Sequence, residues 1–210
     1  MSAPVLICGS VAFDTIAVFE GRFKDHILPD RIHALSVSFF VPTMRREFGG
    51  CAGNIAYNLN LLGGDPIIMA TVGGDAIPYF TRLAQLKIDA THIRQIEQAF
   101  TAQAMITTDQ ANNQITAFHP GAMGESHLNQ VSAVIAERGK NTKGAAKFGI
   151  VAPDGRQGMW EHCHQLAEAN IPFIFDPGQG LPMFNGPELL ELVEMASYLA
   201  VNDYEGEMLS

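Results

Sequence analysis

The sequence predicts an α/β fold with a mostly parallel sheet flanked by helices. After residue 119, short apolar runs alternate with longer segments in which apolar residues recur at helical spacing. This strand–helix alternation is typical of a parallel sheet covered by helices. Hydrophobic residues make up 47% of the 210-residue chain and charged residues 17%, so the chain can form a sizeable core.

The first hundred residues are predicted to combine strands of this sheet with an inserted segment. The opening apolar run reads as a strand buried on both faces, which ends at Asp14. The predicted elements are, in order, a strand at 5–13, short strands at 15–19 and 34–41, a helix after Gly50, a strand at 66–72 and a helix at 77–86.

The second half begins with a predicted hairpin whose turn contains two asparagines. The predicted elements are strands at 102–109 and 114–119, a helix at 126–137, a strand at 148–152, a helix around Cys163, a strand at 172–176, a helix at 187–195 and a strand at 198–201. Two antiparallel insertions, 15–48 and 101–119, are expected to form a small β layer, or lid. The rest of residues 1–210 is expected to form one α/β domain.

Composition excludes several kinds of partner. The net charge is −9 and no basic block occurs, which argues against nucleic acid. No apolar stretch reaches the length of a membrane span, and no signal peptide is visible, so a cytoplasmic setting is expected.

The three cysteines lack metal-binding spacing and are not expected to form a disulfide. No GxGxxG follows the first strand, which disfavours a dinucleotide-binding oxidoreductase.

The most informative segment is REFGGCAGNIAYNLNLLGG at 46–64. Gly49 and Gly50 precede a short amphipathic helix, and Asn54 lies in its first turn. Glycine lets the backbone approach a ligand closely, and a helix start presents unpaired N–H groups. A substrate-binding elbow is one interpretation. A strand-to-helix turn that needs glycine for geometry alone is the other.

Polar residues also follow several predicted strands. These residues are Asp14, Asp154, Asp176 and Asn202. Ligands of open α/β sheets bind outside the carboxyl ends of the strands, so these positions are candidates for ligand contacts. Each could instead be a turn or cap residue.

Taken together and in this order, the motifs resemble those of the ribokinase-like sugar and nucleoside kinases, the PfkB family. The matching segments are FGGCAGNIAYNLNLLGG, TVGGDAIPYFTRLAQLKID, HPGA at 119–122, FDPGQ around Asp176 and NDYE at 202–205. The resemblance covers the whole chain. It implies that residues 1–210 are an incomplete ribokinase-like α/β domain with a β lid, about the N-terminal two thirds of the family's fold.

The resemblance also implies roles for particular residues. Asp14 would accept hydrogen bonds from substrate hydroxyls, because a carboxylate offers two acceptor oxygens. Gly49 and Gly50 would let the main chain press against a sugar, and Asn54 would bind its hydroxyls. Asn54 could alternatively satisfy the helix start.

Asn202 and Glu205 would organise the phosphates of ATP and, with Glu205 acting indirectly, Mg²⁺. The structural alternative is a capping box, in which an N-cap Asn and a Glu three residues later satisfy each other's backbone N–H groups. Both interpretations can hold at once.

One motif of the family is absent. The Gly-Ala-Gly-Asp segment, which supplies the general base and an anion hole, has no counterpart here. The nearest string, VGGD at 72–75, matches another motif by position, so Asp75 is not expected to be the base. The catalytic base is therefore expected beyond residue 210. The resemblance implies ATP-dependent phosphorylation of a primary hydroxyl by the complete protein. The alternative is a non-catalytic binding fragment.

The substrate is expected to be a sugar or nucleoside, with adenosine favoured. Phe39, Phe40 and Phe118 in the lid insertions would suit a flat apolar base, although lid packing also accounts for them. The segment GGCAGN lacks the lysine of ribokinase's GGKGAN, which disfavours ribose. Relatives often pair lid strands between subunits, so the resemblance admits a homodimer through the lid.

Overall fold

The computed structural model describes residues 3–138 and 145–210, which form two sheets and flanking helices. The strands are β1 (Pro4–Cys8), β2 (Ala12–Val18), β3 (Thr43–Gly49), β4 (Asp65–Gly73), β5 (Ile93–Ile96), β6 (Ala102–Thr108), β7 (Gln114–His119), β8 (Phe148–Val151), β9 (Phe173–Phe175) and β10 (Tyr198–Leu199). The helices are α1 (Cys51–Leu61), α2 (Ile77–Gln85), α3 (Val131–Arg138), α4 (Arg156–Glu168), α5 (Gly186–Met195) and α6 (Asp203–Leu209).

The main sheet has the strand order β10-β9-β8-β1-β4-β5, and all its pairs are parallel. Successive residues of a strand point to opposite faces, and the core divides accordingly. Leu6 and Cys8 pack with α3, α4 and α5 on one face, whereas Ile7 packs with α1 and α2 on the other. The predicted parallel sheet flanked by helices is confirmed.

The second sheet, the lid sheet, has the order β3-β2-β6-β7. The predicted hairpin is confirmed as β6 and β7, with Asn112 at positive φ in its turn. Each insertion is antiparallel within itself, as expected, since β2 pairs with β3 and β6 with β7 in antiparallel orientation, whereas β2 and β6 join the two insertions in parallel. Both strands enter the lid sheet from the carboxyl ends of main-sheet strands, so they run in the same direction.

The predicted strand at 5–13 is wrong as a single element. The chain leaves the main sheet after Cys8 and enters the lid sheet at Ala12. Val11 and Phe13 are as buried as the residues of β1, so hydrophobicity alone gives no sign of the break. Asp14 therefore lies inside a lid strand and not at the end of the opening strand.

The predicted strand at 34–41 is also wrong, since the strand of this insertion is β3. Four consecutive residues of β3, from Met44 to Glu47, are exposed, so the strand lacks the apolar alternation that would reveal it. The apolar residues upstream serve another purpose. Phe39 packs against Phe19 and Phe23 with ring centroids 4.9 Å apart.

Two further differences concern short elements. The edge strand β5 was not predicted, because its central residues are polar and exposed. The helix expected at 126–137 begins at Val131, since a 3₁₀ segment occupies Gly121–Leu128. Within the described ranges, no helix is long and apolar enough to cross a membrane. All three cysteines are free.

Candidate active site

The Gly49–Gly50 elbow joins β3 of the lid sheet to α1 of the main domain. Gly50 has φ +90° and ψ 140°, a conformation that L-residues rarely adopt. A Cβ there would lie 2.5 Å from the Ser10 carbonyl oxygen and 2.6 Å from the Ala12 nitrogen. Glycine is therefore required at position 50 by backbone geometry, whatever ligand the elbow binds.

Ser10 caps the start of α1 from outside the helix. Its Oγ accepts a hydrogen bond from the Cys51 N–H at 3.0 Å, and its carbonyl accepts one from the Ala52 N–H at 2.9 Å. Two donors of the first helical turn are thus satisfied by the segment that links β1 to β2. The contact fixes the elbow against the carboxyl end of β1.

The Asp14 carboxylate lies directly over Gly49. A Cβ on Gly49 would be 2.4 Å from Asp14 Oδ2, so only glycine leaves room for this side chain. Within the described residues, the carboxylate has no hydrogen-bond donor or cation. Burial and the charge of Glu47, its cross-strand neighbour, raise the pKa of Asp14. Both oxygens are open to hydroxyl donors from a ligand.

Three carboxylates surround the first residue of α1. Burial raises the pKa of the Cys51 thiol, and the charges of Asp176, Asp154 and Asp14 raise it further. Three of the four polar residues predicted to follow strands, Asp14, Asp154 and Asp176, therefore lie close enough to Cys51 to raise the pKa of its thiol. The carboxylates of Asp14 and Asp176 can accept hydrogen bonds from hydroxyl donors.

Asp154 differs from the other two because it is interior. It is 2% exposed, and its Oδ1 accepts a hydrogen bond from the Gly155 N–H at 2.9 Å. Burial raises the pKa of this carboxyl to about 8. The structure thus makes Asp154 a neutral interior group at pH values below 8, with no open face for a ligand.

Asn202 and Glu205 form the capping box that was the structural alternative. Asn202 Oδ1 accepts from the Glu205 N–H, and Glu205 Oε2 accepts from the Asn202 N–H, each at 2.9 Å. Burial and the charge of Glu205 raise the pKa of Asp176. Two neighbouring carboxylates without a cation partner among the described residues would be relieved by Mg²⁺.

The same residues do not form a complete metal cage. No group of three or more His, Cys, Asp or Glu side chains suited to a metal occurs in the described part of the chain. Mg²⁺ keeps several waters and binds through one or two carboxylates together with phosphates. Asp176 and Glu205 fit that limited role.

Asn54 lies one turn into α1, with an exposed side chain. Its N–H donates to the Gly50 carbonyl at 3.0 Å. The residue lines a cavity of about 200 Å³ between α1 and α2, together with Phe48, Tyr57, Tyr79 and Arg82. Asp14 is not among the lining residues, so joint contact of Asp14 and Asn54 with one substrate stays a prediction.

Asp75 is occupied by structural contacts. Its Oδ1 accepts from the Thr101 N–H and hydroxyl, both at 2.7 Å, and its Oδ2 lies 3.5 Å from Arg46 Nη2. Burial would raise the pKa of Asp75, but these hydrogen bonds outweigh it and lower the pKa. Asp75 ties the end of β4 to the lid sheet, which agrees with its exclusion as a base.

Sequence reasoning missed Ser10, Arg46 and Tyr79. The Arg46 guanidinium stacks 3.7 Å from the centroid of the Phe13 ring, and the Tyr79 hydroxyl donates to the Gly49 carbonyl at 2.7 Å. A serine between two strands and a tyrosine on an apolar helix face carry no distinctive pattern. Only the RREFGG charge pair before the glycines could have drawn attention to Arg46.

Comparison with known proteins identifies the family of this chain. The family model described as pfkB family carbohydrate kinase matches residues 16–210. The chain belongs to this family. It is 30% identical over 183 residues to a nucleoside kinase of Methanocaldococcus jannaschii, a match that covers 83% of this chain and 55% of the relative.

Solved structures of two nucleoside kinases have a similar fold. The nucleoside kinase of Burkholderia thailandensis in complex with inosine is 54% identical, with a TM-score of 0.79, covering 98% of this chain and 62% of that one. The M. jannaschii nucleoside kinase, a member of the ribokinase family, has a TM-score of 0.80 at 25% identity and covers 100% and 64%. This chain therefore spans about six-tenths of the length of the relatives it matches.

A larger open cavity of about 690 Å³ lies elsewhere, beside β5 and the base of β7. Its walls include Arg94, Phe100 and His119 but none of the predicted site residues. This cavity therefore does not coincide with the residues that the sequence analysis singled out. The elbow, the Asp14 carboxylate and the start of α1 define the candidate site instead.

Proposed function

We propose that this protein binds a nucleoside at the elbow and belongs to an ATP-dependent kinase that phosphorylates a primary hydroxyl of that nucleoside in the cytoplasm. The observation that carries the proposal is the open Asp14 carboxylate over Gly49, in a chain 54% identical to a nucleoside kinase solved with inosine. Two neighbouring ribose hydroxyls match the two free oxygens of such a carboxylate.

Each predicted site residue has a role in this proposal. Asp14 accepts from ribose hydroxyls, Gly49 and Gly50 allow close approach of the backbone, and Asn54 supplies an amide from the helix. Asn202 and Glu205 hold the start of α6 beside Asp176, where Mg²⁺ and the phosphates of ATP would lie. ATP supplies the phosphoryl group, and the lid excludes water from the transfer.

We further propose that these 210 residues bind substrate without phosphorylating it, because the sequence contains no GAGD segment to supply a base. Calorimetric titration with inosine, paired with an ATP-dependent phosphorylation assay on the same chain, tests both parts. Inosine binding without turnover supports the proposal. Turnover at ordinary kinase rates would refute the claim of a missing base, and absence of binding would refute the assignment of the site.

We propose adenosine as the favoured nucleoside, since the lid offers two aromatic side chains for its base. Phe40 is 83% exposed and Phe118 is 53% exposed, so neither is consumed by packing, in contrast to Phe39. Parallel titrations with adenosine, inosine and ribose measure the preference. Binding of ribose as tight as that of either nucleoside would refute a contribution from the base.

We also propose that the lid sheet mediates a homodimer. Its strands expose several apolar side chains on the face opposite Asp14, namely Met44, Phe48, Met105 and Ile115. Exposed apolar surface of this kind marks association sites. Light scattering after size exclusion measures the mass, and an Ile115→Asp substitution should convert a dimer to a monomer. A monomeric unaltered protein at high concentration would refute this proposal.

A further inference from the structure

A buried tyrosine on α2 supports the Gly49–Gly50 elbow from the protein interior. Tyr79 of α2 is 4% exposed, and its hydroxyl donates to the Gly49 carbonyl at 2.7 Å. Its ring packs edge-on against Phe13 and Phe48, with centroids 5.7 and 5.3 Å away. These rings lock the side chain in place, so the hydroxyl has a fixed position.

The Tyr79 hydroxyl reaches the elbow because α1 has a glycine, Gly53, at the point where the tyrosine passes the helix. A Cβ on Gly53 would lie 1.9 Å from the Tyr79 hydroxyl oxygen and 3.0 Å from Cζ. No real contact is that short, so any side chain at position 53 would displace the tyrosine. Gly53 has no other evident reason to be glycine, since it lies inside a helix, where glycine costs about 1 kcal/mol relative to alanine.

The hydrogen bond has a directional consequence for the elbow. In a trans peptide the C=O and N–H groups point in opposite directions. Holding the Gly49 carbonyl towards Tyr79 therefore directs the Gly50 N–H to the other side of the chain. The elbow needs such support, because Gly50 occupies a conformation of low intrinsic preference.

The tyrosine is also electrostatically close to the candidate ligand group. Burial raises the pKa of Tyr79, and the charge of Asp14 raises it further. The hydroxyl therefore stays protonated and acts as a donor throughout the physiological range. The same glycine, Gly49, is thus held by Tyr79 through its carbonyl and covered by the Asp14 carboxylate at its Cα.

We propose that Tyr79 is a positioning residue for substrate binding: its hydroxyl, admitted past α1 by Gly53, holds the Gly49–Gly50 elbow in the orientation that contacts the ligand. This inference rests on the proposed function, since it concerns the same site. The role assigned to Tyr79 acts through the peptide between Gly49 and Gly50, whose carbonyl accepts the hydrogen bond from the Tyr79 hydroxyl.

The test combines affinity with backbone exchange. Tyr79→Phe removes only the hydroxyl and should weaken inosine binding, measured by calorimetry on the 210-residue chain, by about five- to tenfold. Amide hydrogen exchange at Gly50 should become faster. The matched control is Thr71→Val, which removes another buried hydroxyl that donates to a backbone carbonyl, that of Ala122, at 2.7 Å. The control should lose similar stability in urea but keep its affinity and its Gly50 exchange rate.

A double-mutant cycle tests the role of Gly53. Gly53→Ala should weaken inosine binding strongly in the unaltered protein and by a clearly smaller factor when Tyr79→Phe is already present. This non-additivity follows because the clash is with the hydroxyl. Equal losses in both backgrounds would overturn the explanation of Gly53.

The outcomes separate this inference from the proposed function. If the unaltered protein binds inosine and Tyr79→Phe binds it equally tightly with unchanged Gly50 exchange, the positioning role is refuted while the site assignment stands. If the unaltered protein binds no nucleoside, the proposed function is refuted, and the claim that Tyr79 orients a binding surface is refuted with it.

Discussion

Replacing Asp75 by alanine should detach the lid sheet from the end of β4. The carboxylate accepts two hydrogen bonds from Thr101 at 2.7 Å and lies near Arg46 and Gln103. Thr101 is 0% exposed, so its N–H and its hydroxyl both lose their acceptor in a poorly solvated position when the carboxylate is removed. The Thr101 hydroxyl also accepts from the Gly73 N–H at 3.0 Å, which links the strand end to the same network.

The expected cost follows from these contacts. A buried N–H left without an acceptor costs about 1–3 kcal/mol, and the hydroxyl hydrogen bond adds about 0.5–1.5 kcal/mol. The partly exposed contact with Arg46 adds at most about 1 kcal/mol. Asp75→Ala should therefore lower the free energy of unfolding by about 2–5 kcal/mol, a large part of the stability of a domain.

Urea unfolding followed by circular dichroism measures this change. Asp75→Asn is the matched control, since its Oδ1 still accepts from the Thr101 N–H, and it should lose less than half as much as Asp75→Ala. A loss below about 1 kcal/mol for Asp75→Ala would refute the anchoring role. Inosine binding by Asp75→Asn should be retained, because Asp75 faces the lid sheet and not the ligand.

Two further predictions concern residues of the candidate site. Burial raises the pKa of Asp154 from 3.8 to about 8, so stability should be highest below the unfolded-state pKa and fall as pH rises through 8. Asp154→Asn should flatten this dependence in urea unfolding between pH 5 and pH 9, and an equally steep profile would contradict the assignment. Gly50→Ala should abolish inosine binding, because its Cβ meets the Ser10 carbonyl at 2.5 Å. Gly186→Ala, where a Cβ meets nothing within 4 Å, should bind normally, and equal binding by both variants would contradict the steric requirement.

The sequence was sufficient to predict the main sheet because its elements have strong periodicity. The strand and helix around Ile67 and Leu83 place apolar residues at the spacing that packing requires, and the structure has both elements. The elbow was predicted from the glycine pair, and the helix after it from the helical spacing of its apolar residues. The motifs occur along the chain in the order that the family shows, and the resemblance is confirmed by the family match to residues 16–210.

The lid sheet could not be predicted in the same way. The break between β1 and β2 is invisible because Val11 within it and Phe13 after it are as buried as the residues of β1 before it. The strand β3 is exposed along most of its length and so shows no apolar alternation. These features depend on contacts between segments far apart in sequence. The Tyr79 hydroxyl is the clearest case, since its acceptor at Gly49 is 30 residues away.

The Asn202–Glu205 box shows where two interpretations of one motif coexist. The structure confirms the reciprocal hydrogen bonds of the capping box. It also brings Glu205 close enough to Asp176 to raise the pKa of that carboxyl. The NDYE motif therefore identified a real helix start, while its role towards Mg²⁺ and ATP stays a prediction.

Binding of inosine by Asp14→Asn tests the central claim most directly. The amide keeps the shape of the side chain but loses the charge and one acceptor, and hydrogen bonds to a charged group contribute about 1.5–3 kcal/mol. Calorimetry should show affinity about 10- to 150-fold weaker than that of the unaltered protein, with unchanged unfolding in urea. Glu47→Gln, across the strand pair from Asp14, should change affinity far less. Asp14→Asn binding inosine as tightly as the unaltered protein would contradict the assignment of this carboxylate to the substrate.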